Sequence, residues 1–359
     1  MIEQTLSDIR KRLKQEKADS FLITNDTDVL YLSRFPCTYG RILITGKRCF
    51  FITDLRYKLD AEKSEWLKKH FQLMIQEKGL EQLLISLAAS IKIKSCLLDS
   101  GNVTLRTFWK FQKEANSIHF IPTKTPVHLG RLTKSDYEKK LIVKSLRIAE
   151  KSFLDTLPLI KPGISEHEIR TELEYRFMRN GADSTSFESI IASGKNAATP
   201  HAHATNKKIR SGDMIIMDFG VKKDGYCSDT TRTVFIGKPD SLYVKRYEAV
   251  REAMLMAQNQ AKPGIASKSV DSFARESLKR NNLDKYFTHS LGHGCGLDVH
   301  EDPFVNPRSE SILKKGMVIT IEPGIYIKGW GGIRIENMVH VTSGNPEILT
   351  KLSSKMLVI

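Results

Sequence analysis

No stretch of this chain approaches the ~20 consecutive apolar residues needed to cross a bilayer as a helix, which excludes a helical membrane span. Cysteine is scarce. Five residues, Cys37, Cys49, Cys96, Cys227 and Cys295, are scattered through the sequence, odd in number and without a CxxC pair. That excludes a zinc knuckle and a disulfide framework, and it predicts reduced thiols in a cytoplasmic protein. The opening segment MIEQTLSDIRKRLKQEK lacks the apolar centre of a secretory signal and reads as a charged amphipathic helix. Acidic residues are the minority charge, 41 against 56 Lys and Arg, for a net +15. The excess raises nucleic acid or an anionic membrane as a partner, against the plainer reading of a basic, solvated exterior. What is present is ordinary. With 359 residues, 40% hydrophobic and 27% charged, the chain is globular and long enough for about two domains.

Up to about residue 125, helix-like and strand-like segments alternate. Short apolar runs at 20–24 (SFLIT), 41–46 (RILITG), 48–53 (RCFFIT) and 95–99 (SCLLD) read as strands bounded by polar or turn residues. Helical stretches are expected over 57–70 and 80–89. This alternation predicts an α/β N-terminal domain with a mixed or parallel sheet. Pro122–Lys134, with two prolines and a glycine, is the linker candidate, dividing the chain into 1–129 and 130–359. Beyond it Ser135 caps a long helix reaching about Leu157, and Glu138 completes a capping-box pattern.

The second part repeats itself. Lys161-Pro-Gly-Ile-Ser165 recurs as Lys262-Pro-Gly-Ile-Ala266, an offset of 101, and each copy separates two helical segments. Gly212-DMIIM-Asp218-Phe-Gly220 returns as Gly316-MVITI-Glu322-Pro-Gly324 at an offset of 104. Both copies are apolar strands that end in a carboxylate and a glycine turn. Two matches in the same order predict a duplicated helix–helix–strand–strand unit, with a site where the halves face each other.

Chemistry collects at those strand ends. Asp218 and Asp229 flank a turn at KKDG (222–225) and form one hairpin; Glu322 and Glu336 flank KGWGG and form the second. Four buried carboxylates are costly unless compensated, and two divalent cations would balance them. Histidines gather too: His201 and His203 in PHAHAT, and His289, His293 and His300 in THSLGHGCGLDVHE. A glycine-flanked His293 would complete a shell of hard oxygens and one imidazole, which suits Mn, Fe, Co or Zn.

In this order SGDMIIMDFG, YCSDTTRT, HSLGHGCGLDVHE, ITIEPGIY and GIRIEN resemble the metal-site blocks of the methionine aminopeptidase, prolidase and aminopeptidase P superfamily. The first part is similar to the N-terminal domain of prolidases, aminopeptidases P and creatinases, so the resemblance spans essentially the whole chain. It implies a duplicated pita-bread catalytic fold behind an α/β N-terminal domain, and a centre of two divalent ions, Mn foremost. Carried onto this sequence, it implies the ligands Asp218, Asp229, His293, Glu322 and Glu336, with Asp229 and Glu336 bridging. A bridging hydroxide would be the nucleophile and Glu322 its proton shuttle. His201, His289 and His300 match accessory histidines that donate to the scissile carbonyl, the oxyanion or the second residue. Arg334 matches an arginine at the substrate end of the site, or else an ion-pair partner that positions the carboxylates.

Three positions depart from the pattern. Asn337 stands where Asp is frequent, Arg34 where glycine is frequent, and Cys295 two residues after His293 reads as a packing residue rather than a soft ligand. The resemblance implies a homodimeric metallopeptidase that removes an N-terminal residue preceding proline, with prolidase and aminopeptidase P activities both open. The compact N-terminal part disfavours a methionine aminopeptidase. The intact ligand set disfavours metal-free creatinase chemistry and a non-catalytic peptide- or nucleic-acid-binding module.

Overall fold

The computed structural model describes residues 2–359 and divides into two compact units, Met1–Arg131 and Leu132–Ile359. In the first unit, strands β1 (Ser20–Ile23), β2 (Arg41–Thr45), β3 (Cys49–Asp54), β4 (Gln72–Gln76), β5 (Ser95–Asp99) and β6 (His119–Thr123) form one sheet. Their order is β4-β3-β2-β1-β5-β6. β3/β4, β1/β5 and β5/β6 pair parallel, while β1/β2 and β2/β3 pair antiparallel, so the sheet is mixed. β1 is buried along its whole length, as its unbroken apolar run requires of a strand covered on both faces. Leu84, Leu87 and Ala88 from helix Leu80–Ile91, with Phe111 from helix Leu105–Glu114, pack on Leu22, Leu43, Phe50 and Leu98.

Two local expectations change. The helical stretch over 57–70 is two helices, Lys58–Lys63 and Glu65–His70. Ser64 breaks it by ending the first and capping the second, its hydroxyl accepting from the Leu67 amide. The proline-rich linker candidate is largely ordered structure: Pro122 and Thr123 lie in β6, and Val127–Arg131 is a short helix. Arg34 adopts a left-handed conformation (φ 51°) as the C-cap of helix Asp26–Ser33, the backbone state that glycine adopts most cheaply, and its guanidinium sits 3.9 Å over the Trp66 ring.

In the second unit, helix α1 (Asp136–Thr156) starts at Ser135 with the full capping box, Ser135 and Glu138 satisfying each other's backbone amides. Helices α2 (Glu166–Arg179), α3 (Ser241–Asn259) and α4 (Ser267–Arg280) follow. The first half carries the antiparallel meander β7 (Ile190–Ser193), β8 (Met214–Phe219) and β9 (Thr230–Phe235). The second half carries β10 (Gly292–Gly294), β11 (Glu301–Val305), β12 (Val318–Ile321), the β13 (Gly324–Ile327) and β14 (Gly331–Arg334) hairpin, and β15 (Asn337–His340). Here the sheet order is β11-β10-β12-β15 with Glu347–Ile348 at its edge.

The duplication extends to single hydrogen bonds. Gly163 N–H donates to Ile209 O at 2.9 Å, and Gly264 N–H to Leu313 O at 2.9 Å. Gly212 N–H donates to Ile236 O at 2.7 Å, and Gly316 N–H to Val341 O at 2.8 Å. Gly212 and Gly316 hold φ of 87° and 92°, so both copies of the turn into the carboxylate strand need glycine. β7, β8 and β9 thus correspond to β10, β12 and β15.

Strand alternation aims the acids. Along β8, Ile215, Met217 and Phe219 pack with Phe153, Leu173 and Phe177 of α1 and α2. Met214 and Ile216 join Val250, Met254, Val270 and Ala274 of α3 and α4 on the other face. Period two puts Asp218 on the Ile216 face, away from the α1–α2 layer.

Candidate metal centre and cleft

The paired strands bring the acids together. Asp218 lies opposite Thr231 in the β8–β9 ladder, Asp229 just precedes β9, Glu322 just follows β12, and Glu336 lies between β14 and β15. Asp218, Asp229 and Glu336 each present an oxygen within 4.8 Å of the others. His293 joins from β10: its Nε2 stands 3.4 Å from Glu322 Oε1 and 3.6 Å from Asp229 Oδ2. All five expected ligands therefore meet at one place.

Electrostatics mark this as a site short of positive charge. Burial, and then the charges of Glu336, Asp218 and Glu322, push the Asp229 carboxyl well above its ordinary range. Burial, and then Glu322 and Asp218, do the same to Glu336. Burial alone would also raise Glu322, but its hydrogen bond and charge pairing with His293 outweigh that and hold it low. His293 is raised, burial being overcome by the same contact. Asp218 Oδ1 and Glu336 Oε1 are buried without a hydrogen-bond partner. Unsatisfied carboxylate oxygens that converge with an imidazole fit divalent cations of the Mn, Fe, Co or Zn type. Chelator-treated protein is accordingly expected to gain stability on adding Mn²⁺. At a hundredfold excess over Kd the gain is about 2.7 kcal/mol per site, or about 5–10 °C in Tm, read by thermal unfolding against ion concentration; an unchanged Tm contradicts ligation.

Arg334 organises the acidic shell. It is 3% exposed, and its Nη2 donates to Asp218 Oδ2 at 2.6 Å. Its Nε donates to Thr231 Oγ1 at 3.2 Å, and the Thr231 hydroxyl in turn donates to Glu336 Oε2 at 2.8 Å. Nη1 reaches the Tyr326 hydroxyl at 2.6 Å and Pro200 O at 3.2 Å. Of the two roles open for Arg334, the structure displays the ion pair.

Tyr326 is a residue the sequence reading missed. Arg334 only donates, so the tyrosine oxygen accepts from it and its O–H is free to donate to His289 Nε2 at 2.9 Å. His289 Nδ1 faces Ser290 O at 2.8 Å and so carries the proton. Burial pushes the His289 imidazole below its ordinary range, which favours the neutral ring that this tautomer describes. Its role follows from the β13–β14 register, which the residue order does not display: Gly324 pairs with Arg334 and Tyr326 with Gly332, which puts Tyr326 diagonal to Arg334 on one face. Gly324 serves the same contact, since a Cβ there would lie 2.5 Å from the Tyr326 hydroxyl.

The expected accessory histidines separate. His201 and His300 line a cavity of about 440 Å³ beside Asp218, Asp229, His293 and Glu322. His300 packs edge-on against His293, with ring centroids 4.3 Å apart. His289 also borders the cavity, but both of its ring nitrogens are engaged within the protein. His203 lies at the rim with its side chain 81% exposed, near Glu188.

The glycines around His293 have a structural reason. A Cβ at Gly292 would meet Thr320 O at 2.0 Å and one at Gly294 would meet Asp302 O at 2.3 Å, so these glycines admit the neighbouring strands. Cys295 is fully buried, its thiol 3.6 Å from Cys227 O, as a packing residue. Asn337 bridges Arg232 Nη2 (3.0 Å) and Gln258 Oε1 (2.9 Å) and supports the backbone next to Glu336.

A duplicated strand–carboxylate core with a buried acidic cluster and an adjacent histidine defines a metallohydrolase framework. Residues 140–343 match metallopeptidase family M24, and residues 6–133 match the creatinase/prolidase N-terminal domain. The chain belongs to family M24: it is a metallopeptidase with a creatinase-type N-terminal domain and a pita-bread catalytic domain. An Xaa-Pro dipeptidase of Pyrococcus horikoshii is 36% identical over 360 residues, covering 99% of each chain. The solved structure of an Xaa-Pro dipeptidase from Bacillus anthracis superposes with a TM-score of 0.95 at 34% identity, covering 100% of both chains. That of an X-Pro aminopeptidase from Thermotoga maritima gives 0.90 at 35% identity, covering 97% of this chain and 100% of its own.

Proposed function

We propose that this chain is a two-metal exopeptidase that cleaves the bond between an N-terminal residue and a following proline. The observation that carries the proposal is the convergence of Asp218, Asp229, His293, Glu322 and Glu336 at the floor of a cleft bordered by His201 and His300. These five residues would hold two divalent ions. Such ions supply Lewis acidity and a water acidic enough to attack at neutral pH. The four carboxylates and single imidazole favour Mn over softer ions.

The chain's own groups supply the rest. Glu322 Oε1, 3.4 Å from His293 Nε2, takes the proton of the attacking water and returns it to the proline nitrogen as the bond breaks. His201 and His300 donate to the carbonyl oxygen as it becomes negative. His289 keeps Tyr326 and Arg334 in place instead of touching substrate. The tertiary Xaa-Pro amide offers no N–H, so recognition rests on the shape of the ring and on apolar contacts with Ile190, Phe187 and Phe304 at the cleft wall.

One observation favours peptides longer than two residues. A dipeptide carries its free carboxylate on the proline itself, and that charge needs a cation. Arg334 is the sole lysine or arginine among the cleft-lining residues described, and it is spent on Asp218, Thr231, Tyr326 and Pro200. Near the mouth, Arg170 is paired with the cleft residue Glu188. One unmet charged hydrogen bond is worth about 1.5–3 kcal/mol, so kcat/KM for Xaa-Pro-Yaa is expected to exceed that for Xaa-Pro by ~10–100-fold. Proline release from matched di- and tripeptides measures the ratio; preference for the dipeptide overturns this length assignment.

The proposal includes a homodimer, a cytoplasmic location and a domain boundary near residue 130. Five unpaired cysteines, four of them buried, support a reducing compartment. Sedimentation velocity of the metal-loaded chain tests the dimer.

A further inference from the structure

We infer that Glu166 of α2 and, about one turn further along the equivalent helix, the Asp271–Arg275 pair of α4 are positioning residues, one group in each half, that set the segments bearing His201 and His289. Each lies in the helix that follows a Lys-Pro-Gly-Ile turn, at 161–164 and 262–265. Each reaches past its own helix to the segment that carries a histidine.

Glu166 is completely buried, and both oxygens are used. Oε1 accepts from the Ser193 amide (2.7 Å) and hydroxyl (2.6 Å) at the end of β7. Oε2 accepts from Asn196 Nδ2 (2.9 Å), the Thr205 amide (3.0 Å) and the Thr205 hydroxyl (2.6 Å). One carboxylate therefore ties both ends of the 193–205 segment. That segment carries His201, and Pro200, whose carbonyl accepts from Arg334. Between the ties the segment is a 3₁₀ turn (Gly194–Ala198) and irregular chain, with no ladder of its own to fix His201.

In the second half, Asp271 is likewise completely buried. Its Oδ1 accepts from the Leu291 amide at 3.2 Å, and Oδ2 accepts from Arg275 Nε at 2.6 Å. Arg275 then donates to Phe287 O (3.0 Å) and His289 O (2.8 Å). The carboxylate and its arginine thus hold residues 287–291 at three backbone groups around His289. An apolar side chain would fill either space at lower desolvation cost, but it would leave these donors and acceptors unmatched. The arrangement fixes backbone, and through it the placement of two imidazoles, His201 at the cleft and His289 behind Tyr326 and Arg334, on a scale where ~1 Å of displacement costs up to about 100-fold in rate.

This inference rests on the proposed role of His201, and a double-mutant cycle separates the two. In Mn-loaded enzyme with an Xaa-Pro-Yaa peptide, Glu166→Gln is expected to lower kcat by ~10–30-fold, and Thr205→Val, which removes one donor, by ~3-fold. In the His201→Ala background both effects should shrink to less than ~2-fold, because a residue acting through His201 has nothing left to position. Asp271→Asn should show the same dependence on His289→Ala. Additive effects on kcat, or an unchanged kcat in well-folded Thr205→Val and Glu166→Gln, overturn the inference. Should Glu166→Gln not fold, the Thr205→Val cycle decides alone. If instead His201→Ala leaves kcat unchanged, it is the proposed role of His201 that fails.

Discussion

Asp229→Asn is expected to abolish peptidase activity while leaving the metal-free protein at least as stable as the parent. The two effects have one cause. Asp229 is 5% exposed, and its charge is opposed by burial and by Glu336, Asp218 and Glu322. Removing that charge relieves repulsion in the empty protein, so stability without metal should be unchanged or rise by about 1–2 kcal/mol. With metal the sign reverses. Asp229 Oδ2 lies 3.6 Å from His293 Nε2 and within the Asp218–Glu336 cluster, so it adjoins three of the four other proposed ligands. An amide there is a poor ligand, and kcat/KM should fall by ~10³-fold or more. Unfolding of the chelated variant and turnover after Mn addition check both halves. A destabilised metal-free variant with full activity contradicts the account.

Arg334→Met is expected to act in the opposite direction on stability while lowering activity as well. Arg334 is nearly buried, and its removal leaves Asp218 without its ion-pair partner and the Thr231 and Tyr326 hydroxyls without a donor. Breaking one side of a buried pair costs about 3–5 kcal/mol. Activity should fall too, since Asp218 and, through Thr231, Glu336 lose the contacts that aim them. Bound metal should partly restore stability by taking over the charge of Asp218. Denaturant unfolding with and without Mn²⁺ measures the difference; a loss below ~1 kcal/mol contradicts a central role for the pair.

Much of this site was legible in the order of residues because its chemistry lies at the ends of apolar strands. The offsets that relate Gly212–Gly220 to Gly316–Gly324 reappear as matching glycine turns and matching hydrogen bonds. The Ser135–Glu138 capping box and the 222–225 turn are local patterns and formed as local physics requires. Residues that act through register were not legible. Thr231 matters because it pairs across from Asp218, and Tyr326 because a hairpin brings it beside Arg334. Glu166 binds donors 27 to 39 residues away, and it reads in sequence as an ordinary first-turn acid. Spacing placed His289 with His293, whereas its hydrogen bonds turn it toward Tyr326.

The basic balance of the chain also acquires a place. Glu188, Asp218, Asp229 and Glu322 line the cleft against Arg334 alone, so the site is acidic within a chain of net charge +15. Such a cleft draws cations, both the metal ions and the ammonium group of a peptide's first residue.

The most direct test is metal stoichiometry measured together with cleavage of matched peptides. Chelated protein is reloaded with Mn²⁺, its bound metal is counted, and release of the first residue is followed from Ala-Pro-Ala, Ala-Ala-Ala and Met-Ala-Ala. The account predicts two ions per chain, at the cluster of Asp218, Asp229, His293, Glu322 and Glu336, and turnover confined to the proline peptide. Loaded protein that leaves the proline peptide intact, or that cleaves the methionine peptide as readily, contradicts it.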